Sequence, residues 1–250
     1  MSIVLCSACE FKWFRGESQV DEPRVSVVRY DRLESRYLTT GDFSALQQMN
    51  TQYPVETRTL LEDILKLGEV SDPSINARFL NFYQDTILQA VISDVELQYA
   101  NMDDINELLD KSFDRLQRMI PNLSLPVVYA QIGSFDQSIV VGDKRIGISL
   151  DKYLGTDYPT YAYYYSERQR RTMKRSYIVP DCLTFYLLSL YPLKDFEHCT
   201  QAERDTHMGR VQWVVNRSMG AKFFHSAAID QADSLMAKQR VPVSQFLTTP

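Results

Sequence analysis

Histidine is nearly missing. The chain holds three, at positions 198, 207 and 225 of 250, and no two stand four apart. That excludes the H-E-x-x-H helix of the zinc peptidases, which needs two imidazoles one turn apart on one face. Glycine is also scarce, with nine residues, and neither a G-x-S-x-G nucleophile turn nor a glycine-rich phosphate cradle is present. Cysteine occurs four times, at 6, 9, 182 and 199, too scattered for a disulfide scaffold. Cys6 and Cys9 form a lone C-x-x-C, and a zinc ribbon needs a second such pair. Basic excess is absent too. Against 32 acidic residues stand 27 Lys and Arg, a net charge of −5, which argues against a nucleic-acid binder. No stretch approaches the ~18 consecutive apolar residues of a membrane-spanning helix.

What remains is ordinary for a globular domain: 44% apolar and 24% charged residues. The alternating, β-branched run 24–30 predicts a strand. Helical spacing covers 43–49, 55–67, a segment opened by Asp72 and Pro73, 87–97, and 103–119 with Ile105, Leu108, Leu109, Leu116 and Met119. Three short strands follow at 125–132, 138–141 and 145–150, read as a small meander, with 24–30 as a candidate fourth member. From Pro180 helical pattern returns. Asp181 to Tyr191 is apolar almost all round and predicts a buried helix. Thr200 and Glu203 form a capping box for a helix through Met219. The expected fold is α+β, a mostly helical single domain with a small antiparallel or mixed sheet. Residues 23–250 form that domain, and residues 1–22 lie outside it.

The start of the chain has its own signal. Leu5-Cys6-Ser7-Ala8-Cys9 has the small residues that precede the modified cysteine of a lipoprotein, followed by a polar tether. This predicts residues 1–22 to be a truncated lipoprotein signal and tether, with Cys9 as the lipid-attachment residue. The alternative is a frayed cytoplasmic N-terminus.

Few side chains suggest chemistry. His198, Cys199, Glu203 and His207 would make a makeshift metal set, but the capping box already accounts for Glu203. Cys182 beside Asp181 at a helix start is expected to be a buried, inert thiol. We therefore assign no catalytic residue, no metal and no cofactor. The densest basic stretch interleaves Tyr163 and Tyr165 with Arg168, Arg170, Arg171, Lys174 and Arg175, a candidate contact for a protein partner or for anionic lipid headgroups. Its plain alternative is a solvated charged face.

The middle of the chain carries a resemblance. Val128 to Phe135, Val141-Gly142-Asp143, Ile146 to Pro159 and Tyr177 to Asp181 run in order, with Val28 to Arg32 and Gln52-Tyr53-Pro54 ahead of them. This series resembles the gliding-motility-associated lipoprotein GldB family, over roughly residues 24 to 220. The resemblance implies a lipid anchor at Cys9, a cell-envelope location facing the periplasm, and a non-catalytic role played through the membrane and envelope protein partners. It implies that location more directly than a part in gliding itself. It also implies a distant zincin-like ancestry, in which the Asp181 helix stands where the zinc-motif helix stood; the alternative function is a zinc-peptidase-like hydrolase with a degenerate or unusual site. Apart from any family, Gly142, Gly147 and Gly155 suit turns, and Asp151 suits a cap on the turn that follows it.

Overall fold

The computed structural model describes residues 24–248. The chain opens with β1 (Val27–Val28), α1 (Tyr30–Thr40), α2 (Phe43–Gln52) and α3 (Pro54–Arg58), which runs on as a π-helical turn over Thr59–Ile64. Next come α4 (Ile75–Phe82), α5 (Thr86–Gln98) and α6 (Asp103–Met119). The sheet strands β2 (Val127–Gln131), β3 (Ile139–Gly142) and β4 (Arg145–Ser149) follow, then the short α7 (Tyr161–Tyr164) and α8 (Glu167–Arg170). Four helices close the fold: α9 (Ile178–Leu190), α10 (Gln201–Met219), α11 (Ala227–Gln239) and α12 (Val243–Thr248). This is the expected mostly helical α+β architecture.

The sheet is mixed, in the order β1-β2-β4-β3. It is not a meander. β2 pairs parallel with β4, with Val128 opposite Ile146 and Ala130 opposite Ile148, while β3 pairs antiparallel on the far side of β4. The chain therefore leaves the end of β2, crosses above the end of β4, descends as β3 and returns as β4. A meander reading uses only local hairpin signals, and the Gly142–Arg145 hairpin is indeed present. Which strand lies on the other side of β4 is decided by burial at a distance. β4 is buried over Ile146, Gly147, Ile148 and Ser149, as a central strand must be.

The strand expected over 24–30 shrinks to β1, parallel to β2. Its outward N–H groups are taken by α6: Val25 N donates to Asp110 Oδ1 at 3.1 Å and Val27 N to Asn106 Oδ1 at 2.9 Å. Two residues four apart on one helix thus close a sheet edge that would otherwise stand open. From Tyr30 the chain is helical. Sequence spacing did not indicate α1, because its buried face holds Asp31, Glu34 and Ser35 beside Tyr30, Tyr37 and Leu38. Asp31 is held by Arg29, whose Nε and Nη2 reach its two oxygens at 2.9 and 2.7 Å.

Other starts and stops follow local chemistry. Asp85 caps α5 by accepting from Ile87 N and Leu88 N. The Thr200–Glu203 capping box opens α10 with both reciprocal bonds made. α4 begins later than expected: Asp72 accepts from Ser74 N at 2.8 Å in a turn, and the helix runs from Ile75. α9 begins earlier, at Ile178. Pro180 lies in its first turn, where the missing N–H has no partner to lose. Not all of α9 is covered, since Phe185 and Leu190 are 42% and 43% exposed. Gly147 serves no turn; it sits inside β4, where a Cβ would lie 2.6 Å from the Tyr129 hydroxyl.

The helices α10 and α11 cross closely. At Gly209 a Cβ would stand 2.5 Å from the Ala228 Cβ and 2.8 Å from its backbone carbon. Neither neighbour is the end of a flexible side chain, so added bulk must separate two helix axes. Overpacking of this kind costs about 1–3 kcal/mol, more than the few tenths that valine gains over glycine in helix propensity. Gly209→Val is therefore expected to lower the unfolding free energy by that amount, read as a lower urea midpoint with an unchanged slope; a midpoint that holds or rises would refute the tight crossing.

Candidate functional site: a buried carboxylate centre beneath the 132–136 loop

Parallel pairing brings the ends of β2 and β4 to the same side of the sheet. The crossing loop after β2 turns sharply there, with Ser134 and Phe135 in the left-handed region at φ 53° and 65°. Its backbone groups face a dry interior and must find partners. Asp151, directly after β4, accepts from Gly133 N at 2.7 Å and Phe135 N at 2.5 Å. Its carboxylate grips the loop rather than capping the turn that follows it. Glu34, from the middle of α1, accepts from Ile132 N at 2.9 Å, and the Tyr83 hydroxyl donates to the Ile132 carbonyl at 2.6 Å. Inside, Gln131 Nε2 reaches Ser149 Oγ at 3.2 Å. Glu34 Oε1 and Gln131 Oε1 are buried without partners.

Both acids are fully buried. Loss of solvent pushes the Glu34 carboxyl well above its ordinary range; the Ile132 N–H opposes this, and the charges of Asp151 and Asp31 add to it. Burial also raises Asp151, against the pull of the Gly133 and Phe135 amides and of Lys152. Lys152 closes the centre from above. Its Nζ donates to the Phe135 carbonyl at 3.1 Å and to the Tyr165 hydroxyl at 2.8 Å, 4.2 Å from the Tyr165 ring centre. Burial lowers its pKa. Tyr165 in turn donates to the Phe135 carbonyl, and Tyr161 donates to the Asp151 carbonyl while accepting from Leu154 N. These bonds tie the loop to α1, to Asp151 and to Tyr165.

The basic segment thus starts on this centre. Tyr165 points inward, whereas Tyr163 and Tyr164 are 84% and 60% exposed. Arg168 and Lys174 are exposed, Lys174 lying 5.7 Å from the Tyr177 ring centre. Arg170 is half-buried, and Arg171 pairs with Glu167 at 2.9 Å. Arg175 belongs to the framework: it takes both oxygens of Asp104, at 2.6 and 3.0 Å, and donates to the carbonyls of Gln98 and Asn101. Beside the exposed tyrosines lies a cleft of about 500 Å³, walled by Phe82, Ile87, Leu88, Phe135, Asp136 and Tyr164. Sequence reading did not single out Tyr164 or the Lys152–Tyr165 pair. A run of tyrosines gives no sign of which rings turn in.

Of the remaining candidates, Cys199, Glu203 and His207 line one cleft but are not grouped as metal ligands. Glu203 is engaged with Thr200, His198 Nδ1 lies 2.6 Å from Asp195, and Cys199 Sγ meets the Lys194 carbonyl. Among the described residues no three His, Cys, Asp or Glu side chains are grouped to share a metal ion. Cys182 is buried, its thiol pushed up by loss of solvent and by Asp181. Cys6 and Cys9 lie outside the described residues.

Fold and centre together define an α+β domain whose densest polar cluster secures its own backbone. The family of the gliding motility protein GldB matches residues 15–221, and the chain belongs to that family. A comparison with curated proteins gave no match, nor did one with solved structures.

A second link ties the centre to α9. Tyr99 donates to the Tyr153 carbonyl at 2.7 Å, and the Tyr153 hydroxyl donates to Asp181 Oδ2 at 2.9 Å. Burial pushes Asp181 up to about 7, with the Tyr153 hydrogen bond pulling the other way. An acid raised in the fold is favoured there in its protonated form. Its contribution is complete below the unfolded pKa near ~3.9 and is lost as pH rises toward the folded value. The full span corresponds to at most about 4 kcal/mol. Asp181→Asn keeps an acceptor for Tyr153 and cannot titrate. Relative to wild type it should gain stability between pH 4.5 and pH 8 in urea unfolding, and an equal difference at both pH values would refute the assignment.

Proposed function

We propose that this chain is a non-catalytic lipoprotein of the cell envelope, held at the membrane through Cys9 and facing the periplasm, where it acts by binding. The observation that carries this reading is membership of the gliding motility protein GldB family. The sequence Ser7-Ala8-Cys9 and its polar tether support the anchor. No described helix is long and apolar enough to cross a membrane. A three-chain anchor exceeds the single-chain case, which binds only marginally.

The contact surface is the exposed middle of the 161–175 segment. Tyr163 and Tyr164 stand out beside Arg168, Arg170, Arg171 and Lys174. Aromatic rings with cations around them suit the headgroup layer, where each basic residue adds about 1 kcal/mol on an anionic membrane. Arg175 is left out, because it is largely covered and its guanidinium is bound by Asp104 and by the carbonyls of Gln98 and Asn101, whereas the Arg171–Glu167 pair stands exposed.

Two experiments test this reading. Metabolic labelling with a fatty-acid analogue should mark the full-length product, and Cys9→Ser should abolish the label and release the protein from membranes; an unlabelled or unreleased product would refute the anchor. The unlipidated Cys9→Ser chain should bind vesicles containing an anionic phospholipid in a salt-sensitive way. Arg170→Glu, Arg171→Glu and Lys174→Glu together should weaken that binding at least tenfold. Equal binding by both forms would show the segment to be only a solvated face.

A further inference from the structure

The cleft beside the exposed tyrosines has a chemistry that differs from that of the basic stretch next to it. It opens between the end of α4, the start of α5, the 134–136 loop and the end of α7, with a volume of about 500 Å³, within the range of pockets that take small ligands. Four aromatic side chains line it, Phe82, Phe135, Tyr164 and Tyr165. Tyr164 stacks on Phe135, ring centres 6.0 Å apart and planes 29° from parallel, and is still 60% exposed. Its ring is thus both held and reachable. The lining also contains Asp85 and Asp136 and, among the described residues, no Lys, Arg or His. Asp85 is spent on the amides of Ile87 and Leu88 at the start of α5. Asp136 is exposed, and no hydrogen bond or ion pair among the described residues engages its carboxylate. Lys152 lies buried behind this wall, with its Nζ on the carbonyls of Phe135 and Asp136 and on the Tyr165 hydroxyl. The cleft is therefore aromatic and open to solvent, with an unengaged acid in its lining.

We propose that this cleft binds an organic ammonium group, with the cation between the Asp136 carboxylate and the Tyr164 ring and its alkyl part on Ile87 and Leu88. The face of an aromatic ring attracts a cation, and a methylated ammonium also brings apolar surface to the rings. The carboxylate supplies the opposite charge. A neutral sugar could stack on Tyr164 but would leave that charge uncompensated, and an anion would meet two acids.

The test is calorimetric titration of the full chain with choline, set against 3,3-dimethylbutan-1-ol, which has the same shape without the charge. Choline should bind saturably and about tenfold tighter than the alcohol. Asp136→Asn keeps the size of the side chain and should remove most of that preference. Tyr164→Leu, at an exposed ring, should weaken choline binding about tenfold, whereas Tyr163→Leu, outside the cleft, should leave it unchanged. Because choline is offered in solution, the outcome is independent of the lipid anchor and of the basic residues. Phosphatidylcholine vesicles offered to the Cys9→Ser chain distinguish the source. Vesicle binding that choline displaces assigns the cation to a lipid head, and binding of choline alone assigns it to a free solute; either supports the site. No saturable binding of choline, equal affinity for choline and the alcohol, or an equal loss with Tyr163→Leu and Tyr164→Leu would overturn the proposal.

Discussion

A crossing loop cannot lie over the end of a buried strand with its amides unpaired. The order β1-β2-β4-β3 sends the chain from β2 over β4, and each unsatisfied buried N–H there would cost about 1–3 kcal/mol. The fold meets this with side chains from three directions. Asp151 comes from below, Glu34 from α1, and Lys152 with Tyr165 from above. The placement of α1 against β2 and the inward turn of the tyrosines both follow from that need.

Burying two carboxylates is itself unfavourable, and here the amides of Ile132, Gly133 and Phe135 offset it. The arrangement is demanding in geometry more than in strength. A shift of the loop by one residue would exchange donors for carbonyls and leave both acids facing oxygen. That specificity gives a physical reason for the segments 128–135 and 146–159 to stand together as a pattern. Of their polar members, Gln131 meets Ser149 and Asp151 meets the amides of Gly133 and Phe135 in the interior.

How much of this is legible in the sequence depends on how local each cause is. The cap at Thr200, the hairpin at 142–145 and the amphipathic α6 are written within a few residues and can be read directly. α1 is hidden because Asp31, Glu34 and Ser35 occupy its buried face, so its pattern looks like that of a polar loop. The parallel pairing of β2 with β4 is hidden because β3 lies between them in sequence but outside them in space. Among the basic residues, Arg175 reads like its neighbours until α6 supplies Asp104. The cleft beside Tyr164 has no sequence signal at all, since it depends on α4, α5 and the 134–136 loop meeting.

The segment 161–175 is a strap fastened at three points. Tyr165 fixes its start to the Phe135 carbonyl and Tyr161 to the Asp151 carbonyl; the buried Met173 accepts from Gly155 N; and Arg175 ties its end to α5 and α6. The span between them makes its main bonds within itself, through the Ser166–Gln169 capping box and the Arg171–Glu167 pair. Between these anchors, lengthening the exposed stretch 166–172 costs mainly a loop-closure entropy that grows slowly with length. That stretch is thus the part of this surface that can be rewritten with least disturbance to the interior.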